Sequence, residues 1–236
     1  ANITLKDLIT MSSMLECNDD NSFSRGNEER MYIYNDWVKF VLDLPVKGYA
    51  PWEMKPEDSP FKRSFSYCTA GSFLLGAVVE KVSGSSMQKL LADKLDKAMG
   101  INTVKWNLSP HGITSGAGGT RYRSRDFLKF GQLILNKGSW KGEQLLSEAW
   151  INEATSAHVS VRDGVNYGYL WWRFEYPLRD KKVWSIAATG NGGNYLFVLP
   201  EEELTVLITS EAYNTRYMHK QSQAIYRDYI LKALPQ

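Results

Sequence analysis

Three short β-prone runs, at 183–188, 195–199 and 204–210, crowd into the last third of the chain with only brief connections between them. Gly190-Asn191-Gly192-Gly193-Asn194 links the first two, and Pro200-Glu201-Glu202-Glu203 links the last two. Such short, turn-rich links predict an antiparallel meander. An aromatic, strand-like run at 167–174 precedes it. A closing amphipathic helix over 215–234, with Met218, Ile225 and Tyr229 inward, is predicted to lie on the sheet. Upstream the chain reads as mainly helical. The pattern is α+β, with a helical region over 1–160 and the meander plus C-terminal helix over 161–236.

The helical region carries its own punctuation. Thr4 and Asp7 form a capping-box-like start, followed by Leu5, Leu8 and Ile9 on one face to about Met14. Residues 16–32 are polar and read as a long loop. Within it Asn18-Asp19-Asp20-Asn21 lacks an EF-hand spacing and reads as solvated. Asn35 or Asp36 is predicted to cap a short helix through Trp37, Val38, Val41 and Leu42 that stops before Pro45. Residues 48–62, interrupted by prolines, are expected to be irregular. A helix over 70–82 places Phe73, Leu74, Ala77, Val78 and Val82 on one face and ends at Gly84. Further helices start at Ser86 (Met87, Leu90, Leu91, Leu95 inward), Ser124 (Phe127, Leu128, Gly131, Leu133, Ile134, Leu135) and Ser147 (Trp150, Ile151, Ala154).

Composition narrows the partners. Hydrophobic residues make up 43% of the 236, enough for a sizeable core, while 23% charged residues with formal net charge +2 give no case for nucleic acid or an acidic membrane. No stretch approaches the apolar length of a bilayer span. His111, His158 and His219 are isolated, and neither cysteine lies in a CxxC spacing, so neither a metal nor another cofactor is expected. Cys17 and Cys68 make one disulfide if the protein is exported and two buried thiols if it is cytoplasmic. The start, Ala1-Asn2-Ile3-Thr4, has no initiator Met and does not read as a signal peptide, so the chain is expected to be cut from something longer.

Five segments, in order, resemble those of β-lactamase-related serine hydrolases, the group that includes class C β-lactamases, D-alanyl-D-alanine carboxypeptidases, certain esterases and 6-aminohexanoate oligomer hydrolases. Residues 3–14, Ile-Thr-Leu-Lys-Asp-Leu-Ile-Thr-Met-Ser-Ser-Met, resemble the T-x-x-x-L-L-T-M-T-S-G-L segment. Phe65-Ser66-Tyr67-Cys68-Thr69, with Leu75-Gly76-Ala77-Val78-Val79-Glu80 and Ser83-Gly84, resembles F-x-Y-[SC]-N … L-L-G-x-[IV]-[IV]-E-x-x-[ST]-G. Gly118-Gly119, Arg125-Asp126 and Phe130-Gly131-Gln132-Leu133 match a third segment. Tyr167-Gly168-Tyr169-Leu170-Trp171-Trp172 and Gly190-Asn191-Gly192-Gly193-Asn194 resemble Y-G-Y-G-W-W and G-[HN]-G-G-Q.

The resemblance implies a β-lactamase/transpeptidase-like fold, an antiparallel sheet with flanking helices and a helical subdomain, and acyl-enzyme chemistry on a small-molecule or peptide-like amide or ester. It assigns Tyr67 as general base and then acid. Substrate contacts fall to Thr69, standing where the family has Asn, and to Thr189, Gly190, Asn191 and Gly192, with a backbone oxyanion donor among them. The Lys-Thr-Gly form of true β-lactamases is absent, which argues against penicillin hydrolysis as the native activity. Cys17 and Cys68 flank segments that meet near the family's active site, so a disulfide and free thiols both fit. The sequence leaves the compartment open, and the resemblance leans toward a periplasmic or secreted protein.

The family's Ser-x-x-Lys lies upstream of the segment resembled by residues 3–14. The N-terminal strands and nucleophile helix are therefore expected to be missing and the chain to be inactive alone. Internal strings exist at Ser59-Pro60-Phe61-Lys62 and Ser86-Met87-Gln88-Lys89, and recruitment of Ser86 is one alternative. A binding protein on a nucleophile-free scaffold is another. Asn191 serves equally well as a hairpin turn residue. Alternation along a strand puts Trp171 and Trp172 on opposite faces, one of them in the core. Leu204-Thr205-Val206-Leu207-Ile208 is expected to form a strand edge that would normally pair with the missing strands, and so a site of self-association within 204–210.

Overall fold

The computed structural model describes residues 3–49, 51 and 53–235; Ala1, Asn2, Gln236 and two positions of the irregular 48–62 stretch, Ala50 and Trp52, lie outside them. The chain forms two units. One contains the residues up to Tyr122 with His158–Val161, and the other Arg123–Ala157 with the residues from Arg162 onward. The helical stretch 123–157 thus groups with the sheet.

In the first unit, α1 (Leu5–Ile9) starts with the capping box read from the sequence: Thr4 Oγ1 accepts from Asp7 N, and Asp7 Oδ2 accepts from Thr4 N at 2.8 Å. It ends five residues earlier than the apolar period suggested, because Met11 takes a positive φ of 54° that no helix accommodates. The polar loop holds a single turn of helix, α2 (Glu28–Met31), capped by Asn27. Asp36 caps α3 (Trp37–Leu42) through Lys39 N at 2.9 Å. A 3₁₀ turn, Pro56–Asp58, breaks the otherwise irregular stretch.

The longest element, α4 (Thr69–Ser83), ends at Gly84 in the left-handed conformation and packs against α1, α2 and α3. Phe73, fully buried, lies edge-on to Trp37 at 5.2 Å. Its buried face is Thr69, Ala70, Gly71, Ser72, Phe73 and Gly76, not the face that includes Val82, which is exposed. Gly76 is needed because a Cβ there would stand 3.3 Å from Gly116 N. Ser86 caps α5 (Met87–Leu91). Glu80 Oε1 accepts from both Met87 N (2.9 Å) and Thr114 N (3.1 Å), fixing α5 and the 114 loop to α4.

In the second unit, α6 (Ser124–Leu135) begins at the expected cap itself, one residue earlier than read: Ser124 is already helical and no side chain caps the turn. A small hairpin, β1 (Ser139–Trp140) with β2 (Glu143–Gln144), leads to α7 (Glu148–Thr155), capped by Ser147. Ile151, Ala154 and Thr155 are its buried residues, whereas Trp150 faces solvent. After β3 (Val159–Arg162), which straddles the boundary of the units, come β4 (Val165–Tyr167), β5 (Trp172–Leu178), β6 (Lys181–Gly190), β7 (Asn194–Leu199) and β8 (Leu204–Ile208). β4 to β8 pair antiparallel in chain order; β6 to β8 are the meander expected from the sequence, and β4 and β5 extend it. The run 167–174 is not one strand. A turn with Leu170 at φ 60° separates β4 from β5, yet Trp171 and Trp172 still fall on opposite faces of the sheet, as expected. Trp171 packs beside Ile134, Ile151, Ile186 and Val198, and Trp172 stacks on Phe174.

Period-two alternation gives the sheet two covered faces. Leu196 and Val198 meet α6 and its neighbours, with Gly131 close enough that a Cβ would stand 2.8 Å from Leu196. Tyr195 and Phe197 meet the closing helix, α8 (Met218–Ala224) continued as a π turn over Ile225–Ile230. The inward residues are Ser222, Tyr226 and, five positions on across the wider π turn, Leu231, while Tyr229 is exposed, against the expectation.

Candidate active site

The candidate residues divide between the units. In the first, Tyr67 lies just before α4 in a backbone tied to two upstream segments. Ser66 N donates to Met11 O (2.8 Å) and Ser66 Oγ to Cys17 O (2.7 Å). Asp19 N donates to Tyr67 O at 3.0 Å. A disulfide joins Cys17 to Cys68, both buried, and the Cys68 sulfur caps α4 by accepting from Gly71 N at 3.2 Å. Thr69 N donates to Asp19 Oδ2 at 2.6 Å.

The electrostatics around the phenol are negative. Burial, with the charges of Asp19, Glu28 and Asp20, pushes the Tyr67 hydroxyl up to about 12. Burial also raises Asp19, opposed by the bonds from Thr69 and Glu28, and raises Glu28, where the Asp19 charge adds to the effect. Tyr67 is therefore protonated at neutral pH in this setting.

In the second unit the feature of interest is the end of β6. Its ladder with β5 stops at Ala187 opposite Trp172, while its ladder with β7 continues to Gly190 opposite Asn194. Ala188, Thr189 and Gly190 thus extend beyond β5. The turn that follows places Gly192 and Gly193 at φ 84° and 85°, so the left-handed positions fall to glycine and not to Asn191. Asn191 is exposed, and its amide is engaged by Asn214: Nδ2 donates to Asn214 Oδ1 at 2.8 Å and Oδ1 accepts from Asn214 N at 3.2 Å.

A protein-family model described as beta-lactamase matches residues 1–227. The chain belongs to the β-lactamase family. No individual curated protein matches it. Among solved structures, a Bacillus anthracis protein assigned as a 6-aminohexanoate-dimer hydrolase is similar at TM-score 0.75 and 18% identity, over 99% of this chain and 63% of that one. A penicillin-binding protein from Bacillus halodurans follows at TM-score 0.67 and 18% identity, over 95% and 74%. A class C β-lactamase from Rhodobacter sphaeroides has TM-score 0.62 and 15% identity, over 97% and 73%. These likenesses establish the β-lactamase/transpeptidase-like fold. The chain spans 63% of the first of these structures.

In both internal Ser-x-x-Lys strings the lysine ammonium is held by a group other than the serine. Ser59 is buried at the end of the 3₁₀ turn, and Lys62 Nζ donates to Glu57 O at 2.9 Å. Ser86 Oγ accepts from Lys89 N as a cap, while Lys89 Nζ pairs with Asp93 at 2.6 Å. Sequence reasoning passed over Asp19 by assigning its polar run to solvent. A contact between positions 50 apart leaves no periodic signal. Asn214 was hidden in the same way. Among the described residues no cluster of ligating side chains could hold a metal ion, and no helix is long and apolar enough to cross a membrane.

Proposed function

We propose that this chain carries the general base and substrate edge of a serine hydrolase that cleaves small-molecule or peptide-like amides or esters through an acyl-enzyme. Tyr67 takes the proton of the attacking hydroxyl and returns it to the leaving group. A phenol near 12 does this only beside a cation that lowers it, the role of the lysine in a serine–lysine pair. Lys62 and Lys89 are held elsewhere, so the pair is supplied by neither internal string and the chain by itself is inactive. Thr69 lines the substrate side in place of an asparagine, and an extended acyl group runs along Thr189–Gly192, where a backbone N–H receives the developing oxyanion.

The observation that carries this reading is the overhang of Ala188, Thr189 and Gly190 beyond β5, a strand edge free to take an extended substrate backbone. The test is turnover of p-nitrophenyl esters and labelling by a fluorophosphonate. The chain alone is expected to remain unlabelled at Ser59 and Ser86. In an active form that includes an upstream Ser-x-x-Lys segment, Tyr67→Phe should lower kcat by about 10²–10⁴-fold. Full activity in that variant, or a label mapped to Ser86, would overturn the assignment. The engagement of both internal lysines also favours a second reading, a nucleophile-free binding protein; it requires that no form containing this chain acylates.

Partners follow from the sheet. β8 is its last strand and every residue of Leu204–Ile208 is half-exposed, so self-association along that edge is expected. Sedimentation across a concentration range checks it: a cooperatively folded species that stays monomeric throughout counts against pairing.

A further inference from the structure

Asp19 belongs to a run of polar residues, yet its carboxylate is half-buried and both oxygens are committed to backbone donors. Oδ2 accepts from Thr69 N at 2.6 Å, at the first turn of α4, and Oδ1 accepts from Glu28 N at 2.9 Å, at the first turn of α2. Its own N–H donates to Tyr67 O at 3.0 Å. One residue therefore grips the chain at two points immediately after the Tyr67 side chain and ties it to a second element. Charge-assisted bonds from amide donors to a carboxylate are short and about twice as strong as neutral ones. The disulfide two residues before Asp19 fixes the same two segments covalently but constrains only the chain path, whereas the carboxylate sets the backbone orientation at Thr69.

We propose that Asp19 is the positioning residue of the Tyr67 base, locking the Tyr67–Thr69 backbone against α2 so that the phenol is presented in a single place. The inference rests on the reading of Tyr67 as general base, and it makes demands that can be measured without turnover. The charged groups facing the phenol are Asp19, Glu28 and Asp20.

The experiment uses the 236-residue chain labelled with ¹⁵N and with ¹³C at the tyrosine ring, Tyr67→Phe identifying the resonance. Asp19→Asn keeps one acceptor oxygen and removes the charge. Thr69 or Glu28 N–H should then exchange at least ~10-fold faster while amides in the middle of α4 keep their protection, and the Tyr67 titration should move to lower pH. Glu28→Gln removes a neighbouring charge but leaves both bonds to Asp19; it should lower the titration and leave the Thr69 amide protected. If Asp19→Asn does not fold, Asp19→Glu, which keeps the charge and displaces the oxygens, should expose the same two amides. The inference is overturned if a folded Asp19 variant protects both amides as the parent does, or if Glu28→Gln loosens Thr69 equally. In an active form, Tyr67→Phe abolishing turnover while Asp19→Asn retains it would remove this inference alone; loss of neither would remove the reading of Tyr67.

Discussion

Ser185 and Tyr226 share a hydrogen bond of 2.9 Å, both with no exposed surface, so the middle of β6 is joined to the π turn of the closing helix. The Tyr226 ring also stacks on Phe197 at 3.9 Å and meets Tyr176 edge-on at 5.2 Å, making it the point where three strands and the helix converge. Tyr226 follows the buried Ser222 by one regular helical turn, and the π turn that begins at Ile225 then carries the buried face on to Leu231.

Tyr226→Phe keeps the stack and removes the hydroxyl. The Ser185 hydroxyl is then buried with its partner gone, at a cost of about 1–3 kcal/mol. Tyr226→Ala should cost more, roughly 3–5 kcal/mol, by opening a cavity against Phe197. Urea unfolding of both variants, with unchanged m-values, checks the order.

The Cys17–Cys68 bridge closes a loop over 51 positions. Replacing both cysteines with serine should lower stability by about 3–4 kcal/mol in the chain-entropy account. Alkylation of the unfolded, unreduced chain should label neither cysteine, and thermal unfolding with and without reductant measures the stability difference.

Gly193 stands at φ 85° with Met218 O 2.5 Å from where a Cβ would be. Gly193→Ala combines an unfavourable conformation with a backbone clash and should cost at least ~2 kcal/mol, with faster exchange of nearby amides. Gly112→Ala, also at positive φ but facing open space, is the control and should cost about 1 kcal/mol.

Burial and its acidic neighbours raise the Tyr67 phenol from 10.0 to about 12 in the folded chain. Between those values the unfolded chain has lost this proton and the folded chain retains it. Stability is therefore fully present below pH 10 and falls as pH rises toward 12. In Tyr67→Phe that part of the alkaline decline should vanish, which denaturant midpoints at pH 9, 10 and 11 will reveal.

Much of this architecture could be read from local chemistry. Thr4 with Asp7, Asp36, Ser86, Ser147 and Gly84 each marked a helix end that the structure has. The Gly-rich and Pro-Glu links marked the meander. Features that depend on distant partners left no such mark. Asn27 nucleates a four-residue helix too short for any period to register, and Asp19 acquires its role only when position 69 arrives beside it. The run 167–174 was misjudged because a left-handed Leu170 interrupts what looked like continuous strand, although Trp171 and Trp172 do lie on opposite faces. The candidate residues of each unit were legible in the same uneven way: Tyr67 and Thr189–Gly192 were named from motif resemblance, whereas the groups that hold them had to be found in three dimensions.

The loop after β6 is moored from the far side of the sequence. Asn191 is tied to Asn214, Asn194 to Ser210, Gly192 to Ala212 and the Met218 sulfur, and Gly193 O to the Ser222 hydroxyl at 2.6 Å. A chain stopped before Asn214 would retain every strand of the meander and yet cast off the Asn214, Met218 and Ser222 moorings. Loss of the tail would therefore unfasten the turn after β6 and strip Tyr226 from the sheet in one step, so that turn and the packing beneath it stand or fall with the same helix.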